Sequence, residues 1–329
     1  MSTEVRKILV TGACGQIGSE LVIELRQKYG GDNVVATGHK TKPSRTLLNS
    51  GPFEFIDTRN RGRVEDVVKR YNIDTIYHMS AVLSADGEKN PQLCWDVNMN
   101  SLYNILEIAK EYELVRIFYP SSMAVFGPAT PRDNTPQETI LCPSTMYGVT
   151  KVAGELLCDY YFKRFSVDVR GIRYPGIISS VTAPSGGATD YAVAIFYEAI
   201  KQKRYTCFVR ENTVLPMLYM PDCIRATLEL MEVDLSKLKH HSNFNLAATS
   251  FSAGELAAEI KKHIPEFTCE YKPDFRQEIV DSWPRSIDDS IAREEWGWEP
   301  KYDLTSMTKD MLKKLSVKLK ICEDKNATN

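Results

Sequence analysis

The stretch Val10-Thr11-Gly12-Ala13-Cys14-Gly15-Gln16-Ile17-Gly18 decides the fold of this 329-residue chain. It follows an apolar run at residues 7–11, typical of a buried strand, and leads into residues 17–29, whose apolar side chains recur at helical spacing. Glycines at every third position let the backbone turn tightly, and the start of a helix offers free N–H groups and a positive dipole end. The stretch therefore predicts a loop that binds the pyrophosphate of a dinucleotide; the alternative is a glycine-rich turn without a ligand. The candidate contacts are Gly12, Gly15, Gln16, Ile17 and Gly18.

Outward from this loop, short apolar runs alternate with stretches of helical periodicity up to about residue 180. Such alternation predicts βαβ units and a parallel sheet that is covered on both faces. After Tyr174 the rhythm becomes irregular. We therefore predict a dinucleotide-binding part at 1–178, and a smaller part at 179–329 that caps the sheet and returns some segments to it. Within the second part, Asp222 is predicted to cap a helix over residues 224–231.

Composition excludes several classes of function. Lys and Arg number 41 against 43 Asp and Glu, a net charge of −2 that gives no support to binding of nucleic acid or of a membrane surface. No apolar run approaches the ~18 residues of a membrane span. The eight cysteines form no C-x-x-C pair and none has zinc-ligand spacing, so we predict reduced thiols and no metal site. The N-terminus shows no leader peptide, which predicts a cytoplasmic location, with the mitochondrial matrix open for a eukaryotic protein.

The end of the predicted second strand bears on which dinucleotide is bound. A carboxylate there commonly holds the ribose 2′-hydroxyl, but this chain has Gly38-His39-Lys40. The basic pair would suit a 2′-phosphate and favour NADP, whereas a glycine that makes room for the ribose would favour NAD. Asp57, at the end of the third strand, is a candidate to reach the adenine amino group, or else only a cap of that strand.

A proton-transfer group is predicted further along the chain. Tyr147 and Lys151 are four residues apart in a helical stretch and so lie on one face, one turn apart. A nearby ammonium is expected to lower the pKa of the phenol from ~10 towards neutrality, so that Tyr147 can accept a proton from an alcohol. Ser122 directly follows the predicted fifth strand, where it can bond a substrate oxygen. The alternatives are that Tyr147 and Lys151 are only a pair on the surface of a helix and that Ser122 only caps a turn.

Taken together, the glycine loop, Ser122 and the Tyr147/Lys151 pair resemble the extended short-chain dehydrogenases/reductases over nearly the whole chain. The resemblance implies a Rossmann-type, doubly wound parallel α/β sheet with a smaller C-terminal α/β substrate-binding cap. It implies that Ser122, Tyr147 and Lys151 are catalytic and that Lys151 also bonds the nicotinamide ribose. It further implies that Met79, Ser80 and Ala81 contact the cofactor, that Asn98 supports the active site, and that Tyr174 and Ile177 approach the nicotinamide.

Five further segments, residues 120–122, 127–128 with 130–131, 143–148, 186–192 and 281–289, are similar to the short-chain L-threonine 3-dehydrogenases. This resemblance implies oxidation of the threonine β-hydroxyl by NAD⁺ to L-2-amino-3-oxobutanoate. It also implies substrate contacts from Ser84, Thr189, Asp190 and Trp283. A zwitterionic amino acid needs an acceptor for its ammonium, for which Asp190 is suited, and donors for its carboxylate, for which Ser84 and Ser121 are suited. Thr189 and Asp190 also suit the N-cap of a following helix, and Gly186-Gly187 suggests a mobile flap.

Two other functions stay open at this point. A nucleotide-sugar epimerase or dehydratase would share every cofactor feature, and a protein that only senses NAD(P) would share the glycine loop but would not need the Ser122, Tyr147 and Lys151 set. We also predict a homodimer, because the helical stretches at 102–109 and 156–162 are apolar enough to pair two subunits. No nucleic-acid or membrane partner is expected.

Overall fold

A computed structural model describes residues 5–184 and 187–327, with side chains as far as residue 320. Within these ranges the backbone forms twelve strands and thirteen α-helices. The strands are β1 (Ile8–Thr11), β2 (Val34–Gly38), β3 (Phe53–Phe55), β4 (Thr75–His78), β5 (Arg116–Ser122), β6 (Val169–Tyr174), β7 (Gly176–Ile178), β8 (Arg204–Cys207), β9 (Val214–Tyr219), β10 (Phe244–Asn245), β11 (Thr249–Ser252) and β12 (Thr268–Tyr271). The helices are α1 (Gln16–Tyr29), α2 (Arg45–Asn49), α3 (Arg61–Tyr71), α4 (Ser84–Lys89), α5 (Pro91–Trp95), α6 (Ser101–Glu111), α7 (Met146–Phe165), α8 (Tyr191–Gln202), α9 (Met220–Glu232), α10 (Ala253–His263), α11 (Arg276–Asp281), α12 (Ser290–Trp296) and α13 (Leu304–Ala327).

The central sheet places the glycine loop at a reversal of strand order. Seven parallel strands of the described chain form it, in the order β10-β6-β5-β4-β1-β2-β3. Because β1 pairs with β2 on one side and β4 on the other, the loops that leave β1 and β4 diverge and open a crevice at the carboxyl edge. The predicted Rossmann-type, doubly wound α/β fold is confirmed.

Alternating side chains of the strands build a core on each face of this sheet. Ile8 and Val10 of β1 pack on one face with the apolar side of α1, whereas Leu9 packs on the other face with α3 and α6. All three side chains are fully buried. The helices are therefore fixed against the sheet, and the loops at its carboxyl edge have a rigid support.

The cap is interleaved with the central sheet along the chain. Strands β11-β9-β7 and β12-β8 form two smaller sheets, and β7 lies before residue 179. In the other direction, β10 pairs with β6, and α9 contacts both α1 and β6. The segments that return to the central sheet are thus α9 and β10, and the boundary at residue 178 stays a prediction. Gly186, the first glycine of the predicted flap, lies outside the described residues.

The prediction that Asp222 caps a helix over residues 224–231 is wrong. Helix α9 begins earlier, at Met220, so Asp222 lies inside its first turn. The Asp222 carboxylate is buried and accepts hydrogen bonds from the backbone N–H groups of Lys301 (2.8 Å) and Tyr302 (3.0 Å). It therefore ties the segment before α13 to α9.

None of the helices within the described ranges combines the length and the apolar character needed to span a bilayer. The location of the protein in the cell stays a prediction.

Candidate active site

The glycine loop between β1 and α1 has the close backbone packing that a dinucleotide needs. Gly12 has φ +64°, and a Cβ atom there would lie 2.7 Å from the backbone of Met79 and Ser80. A Cβ atom at Gly18 would lie 2.4 Å from the Gly12 carbonyl oxygen. Gly15 is the N-cap of α1 and makes no side-chain cap, so the N–H groups of the first turn face the crevice without partners inside the helix. The loop fits a pyrophosphate.

One cleft, which we call the central cleft, runs from this loop to the ends of β4, β5 and α7. It is lined by most of the residues predicted from the sequence, namely Gly12, Gly15, Gln16, Ile17, Gly18, Met79, Ala81, Ser84, Ser121, Ser122, Tyr147, Lys151, Tyr174, Ile177, Thr189, Asp190 and Trp283. The lining thus brings the predicted phosphate loop, proton-transfer group and substrate contacts into one space. Five predicted cofactor residues are not part of it, namely Gly38, His39, Asp57, Ser80 and Asn98.

Tyr147 and Lys151 lie on the first turns of α7 and face the end of β5. The Lys151 Nζ atom lies 5.4 Å from the centre of the Tyr147 ring and donates a hydrogen bond of 2.5 Å to the Pro120 carbonyl. Tyr147 makes a hydrogen bond with the Ser122 hydroxyl, which favours the phenolate. The three polar groups therefore meet at one point of the cleft.

The expected lowering of the Tyr147 pKa is wrong for the protein without ligand. Burial raises the pKa of Tyr147 to about 12, and the Ser122 hydrogen bond opposes this only in part. Burial also lowers the pKa of Lys151 to about 8. Lys151 thus loses its proton before Tyr147 does, and the ammonium is absent at the pH where the phenol titrates. Burial removes water from both groups and so shifts the two pKa values in opposite directions, and this effect cannot be read from the sequence.

The residues near the second and third strand ends form a charged group outside the central cleft. Asp57 accepts hydrogen bonds from the Arg59 side chain, and these lower the pKa of the carboxyl to about 2. His39 lies 3.7 Å from the same carboxylate. A Cβ atom at Gly38 would lie 2.9 Å from the Cys14 Sγ atom, so the space beside Gly38 is filled by the glycine loop itself.

Two predicted cofactor residues, Asn98 and Ser80, make hydrogen bonds that fix the loop that follows β4. Asn98 is buried and binds the backbone of Val82 through both side-chain atoms, at 2.8 and 3.1 Å, and also donates to Thr150 at 3.0 Å. The backbone N–H of Ser80 donates to the Thr11 hydroxyl at 3.3 Å. These contacts support the wall of the cleft from behind.

The predicted substrate contacts come from four separate segments. Ser84 begins α4, Trp283 follows α11, and Thr189 and Asp190 precede α8. Asp190 is the N-cap of α8, but its carboxylate accepts from the Gly187 N–H (2.9 Å) and does not cap the helix. The Ser121 hydroxyl donates to the carboxylate of Glu155, a residue outside the lining of the cleft, so this side chain is already engaged away from the cleft.

Several residues of the site were missed by the sequence analysis. Leu83 and Met123 also line the cleft. Arg132 donates to the Trp283 carbonyl at 3.2 and 3.3 Å and so holds the backbone at Trp283. His78 is buried, contacts the Thr11 hydroxyl at 3.0 Å, and burial lowers its pKa to about 3. None of them belongs to a spacing pattern, so no sequence signal singles them out.

The described residues contain no group of His, Cys, Asp and Glu side chains placed to hold a metal ion.

Comparison with known proteins agrees with this geometry. The model of the NAD dependent epimerase/dehydratase family matches residues 8–247. An uncharacterized epimerase/dehydratase of Staphylococcus haemolyticus is 51% identical over 313 residues, which cover 95% of this chain and 98% of the relative.

Two solved structures are similar over nearly their whole length. L-threonine dehydrogenase from Clostridium difficile is 52% identical, with a TM-score of 0.94 and coverage of 96% of this chain and 99% of that one. A monomeric L-threonine 3-dehydrogenase from a metagenome is also 52% identical, with a TM-score of 0.90 and coverage of 94% and 98%.

Proposed function

The chain belongs to the NAD-dependent epimerase/dehydratase family, the extended short-chain dehydrogenases/reductases with NAD as cofactor, and we propose from this premise that it is an L-threonine 3-dehydrogenase. The proposed reaction oxidises the β-hydroxyl of L-threonine to give L-2-amino-3-oxobutanoate. The observation that carries the proposal is the central cleft, which is lined together by the glycine loop, by Ser122, Tyr147 and Lys151, and by Thr189, Asp190 and Trp283.

In this proposal Tyr147 is the general base. Its hydroxyl is bonded to Ser122, and the Lys151 ammonium stands one turn along α7. The β-hydroxyl of threonine would lie between Ser122 and Tyr147, so that Ser122 orients the oxygen while Tyr147 accepts its proton. Bound NAD⁺ supplies the acceptor for the hydride that leaves the same carbon. The glycine loop would hold the pyrophosphate, with Met79, Ala81, Tyr174 and Ile177 along the remaining cleft.

The substrate end of the cleft suits a small zwitterion. Asp190 provides a carboxylate for the ammonium, and Ser84 provides a hydroxyl for the carboxylate. Trp283 is 5% exposed and presents a flat apolar wall where the methyl group would lie. Ser121 is a weaker candidate for the substrate carboxylate, because its hydroxyl would first have to leave Glu155. We propose that 1–178 chiefly bind the cofactor and that 179–329 chiefly shape this end.

The proposal is tested by incubating the purified protein with NAD⁺ and L-threonine and following NADH absorbance. We expect turnover by the wild type and a loss on the order of 10²- to 10⁴-fold in Tyr147→Phe, the usual contribution of a general base. Tyr160→Phe is the matched control, because Tyr160 lies on the same helix but is 54% exposed and away from the cleft. Turnover of a UDP-sugar without oxidation of threonine would favour the epimerase alternative. NAD⁺ binding without any turnover would favour a sensing protein.

We also propose that the protein is a homodimer. Trp95 at the end of α5 and Tyr103 in the first turn of α6 are 45% and 51% exposed, and Leu156 and Tyr160 on α7 are 65% and 54% exposed. Large apolar side chains grouped on packed helices are typical of a protein interface. One solved relative is described as monomeric, so the state of this chain has to be measured.

Light scattering tests the dimer. We expect dimer mass for the wild type, monomer mass for Leu156→Glu, and dimer mass for Leu48→Glu, which adds the same charge at an exposed leucine of α2. Monomer mass for the wild type would contradict the proposal.

A further inference from the structure

The end of β5 and the first turns of α7 meet through three neighbouring pairs. Ser122 bonds to Tyr147, the Pro120 carbonyl accepts from Lys151, and Ser121, between them, donates to Glu155. Tyr147, Lys151 and Glu155 are four residues apart, so they lie on one face of α7. The proton-transfer pair of the proposed function is thus continued by a third polar contact one turn deeper.

Glu155 is held by more contacts than Tyr147 and Lys151, the two residues before it on this face of α7. It is 3% exposed, and its two carboxylate oxygens accept from the Arg173 guanidinium at 2.9 and 2.8 Å, as a two-pronged pair. Arg173 is 2% exposed and also donates to the Gln137 carbonyl and to the Asn245 side chain. Since Arg173 on β6 stands opposite Ser121 on β5, the ion pair clamps helix and both strands at one level.

This arrangement fixes the backbone between the two catalytic contacts. On one side of Ser121, the Pro120 carbonyl accepts the hydrogen bond of Lys151, and on the other side Ser122 bonds the Tyr147 hydroxyl. A shift of Ser121 would therefore move both contacts at once. A displacement of about 1 Å in such a constellation is enough to cost on the order of 10²-fold in rate.

We propose, on the basis of the proposed function, that Glu155 is a positioning residue for proton transfer: paired with Arg173, it holds Ser121 so that Pro120 and Ser122 stay aligned with Lys151 and Tyr147. Glu155 touches no reacting atom and does not itself line the central cleft; its carboxylate contacts the lining through Ser121. The alternative is that the Glu155–Arg173 pair only stabilises the fold, as buried ion pairs do elsewhere.

The chain offers a matched control for that alternative. Asp168, just before β6, accepts hydrogen bonds from Arg116 (2.8 Å) and Arg170 (2.9 Å) and is likewise buried. This pair lies at the end of the sheet away from the central cleft, because β6 runs from Val169 towards Tyr174, which lines the cleft. Asp168→Asn thus removes a buried carboxylate charge at the start of β5, at Arg116, and leaves the Pro120–Ser122 end of β5 and the first turns of α7 untouched.

The experiment compares Ser121→Ala, Ser121→Thr, Glu155→Gln and Asp168→Asn by two measurements. The first is kcat and KM for L-threonine at saturating NAD⁺. The second is the resonance of the Tyr147 ζ-carbon in protein labelled with carbon-13 at tyrosine, assigned by Tyr147→Phe and recorded without substrate. Ser121→Ala keeps the ion pair, so it gives an answer even where Glu155→Gln fails to fold.

We expect Ser121→Ala to move the Tyr147 resonance and to lower kcat on the order of 10- to 100-fold with little change in KM. Ser121→Thr, which keeps the hydroxyl, should restore both, and Asp168→Asn should change only the melting temperature. An unmoved resonance in Ser121→Ala would overturn the proposal, as would a rise in KM alone, which would make Ser121 a substrate contact. Absence of threonine oxidation by the wild type would instead refute the proposed function, and the resonance would still decide the role of Glu155.

Discussion

Replacement of Lys151 by methionine tests how the charge of this residue acts on Tyr147. Lys151 is 3% exposed, and its Nζ atom lies 5.4 Å from the centre of the Tyr147 ring. Methionine keeps the length and the apolar stem but has no charge. At a distance of 5.4 Å and an effective dielectric constant of about 20, the ammonium stabilises a phenolate by about 3 kcal/mol.

That energy corresponds to about two pKa units. Burial, opposed in part by the Ser122 hydroxyl, brings the pKa of Tyr147 to about 12. The phenolate that the reaction needs is therefore much more accessible while Lys151 keeps its proton, that is, below its own pKa of about 8. Without the ammonium, the fraction of phenolate near neutral pH falls about 100-fold, and the rate falls with it.

The assay is kcat for threonine oxidation against pH, at saturating NAD⁺. We expect the deficit of Lys151→Met to be largest near neutrality and to shrink as the pH rises, because the wild type also loses its ammonium above pH 8 or so. Lys151→Arg, which stays charged, should show a smaller deficit at all pH values. A deficit that is the same at every pH would refute the electrostatic argument and leave Lys151 as a binding residue only.

Three further outcomes follow from the same contacts. Because burial lowers the pKa of Lys151 from its ordinary 10.5 to about 8, only the unfolded chain keeps this lysine protonated between these pH values, and the stability of the wild type rises with pH across them. Below pH 8, Lys151→Met should therefore be up to about 3 kcal/mol more stable than the wild type, less the loss of the lysine hydrogen bond. This advantage should be gone by pH 10.5, and urea unfolding at both pH values measures it. Gly154→Ala should lower the free energy of unfolding by about 1–3 kcal/mol, because its Cβ atom would lie 2.0 Å from the Tyr119 hydroxyl; an unchanged urea midpoint would contradict this. Gly38→Asp should destabilise the protein by crowding Cys14, and the double variant with Cys14→Ala should recover the stability. The double variant should also raise the ratio of kcat/KM for NAD⁺ over NADP⁺, because a carboxylate repels a 2′-phosphate. An unchanged ratio would mean that residue 38 does not face the ribose.

The parts of the molecule that were predictable are those with a short period in the sequence. The alternation of apolar runs and helical stretches gave the parallel sheet, because each unit buries its apolar side locally. The turn at Gly12 was predictable because only glycine tolerates its φ of +64° so close to the Met79 backbone. Tyr147 and Lys151 were brought to one face by helical spacing alone.

The parts that failed depend on contacts between distant residues. The residue type of Asp222 predicts a helix cap, yet its carboxylate binds backbone groups 79 and 80 positions further along the chain. The pKa of Tyr147 depends on how many side chains cover it, and the pair of Glu155 with Arg173 on a different strand has no local signature. Burial and tertiary pairing set these properties, and neither has a period that can be read from one sequence.

Burial of the Tyr147/Lys151 pair has two opposite effects, and their balance explains the architecture around it. It raises the pKa of the phenol and lowers that of the ammonium, so each group is harder to ionise than in water. In water, however, a charge at 5.4 Å would stabilise the phenolate by only about 0.8 kcal/mol, against about 3 kcal/mol at the lower effective dielectric constant. A pair that works by charge must therefore be buried, and once buried its geometry must be held rigidly. The polar contacts of Pro120, Ser121 and Ser122 with successive turns of α7 meet that requirement.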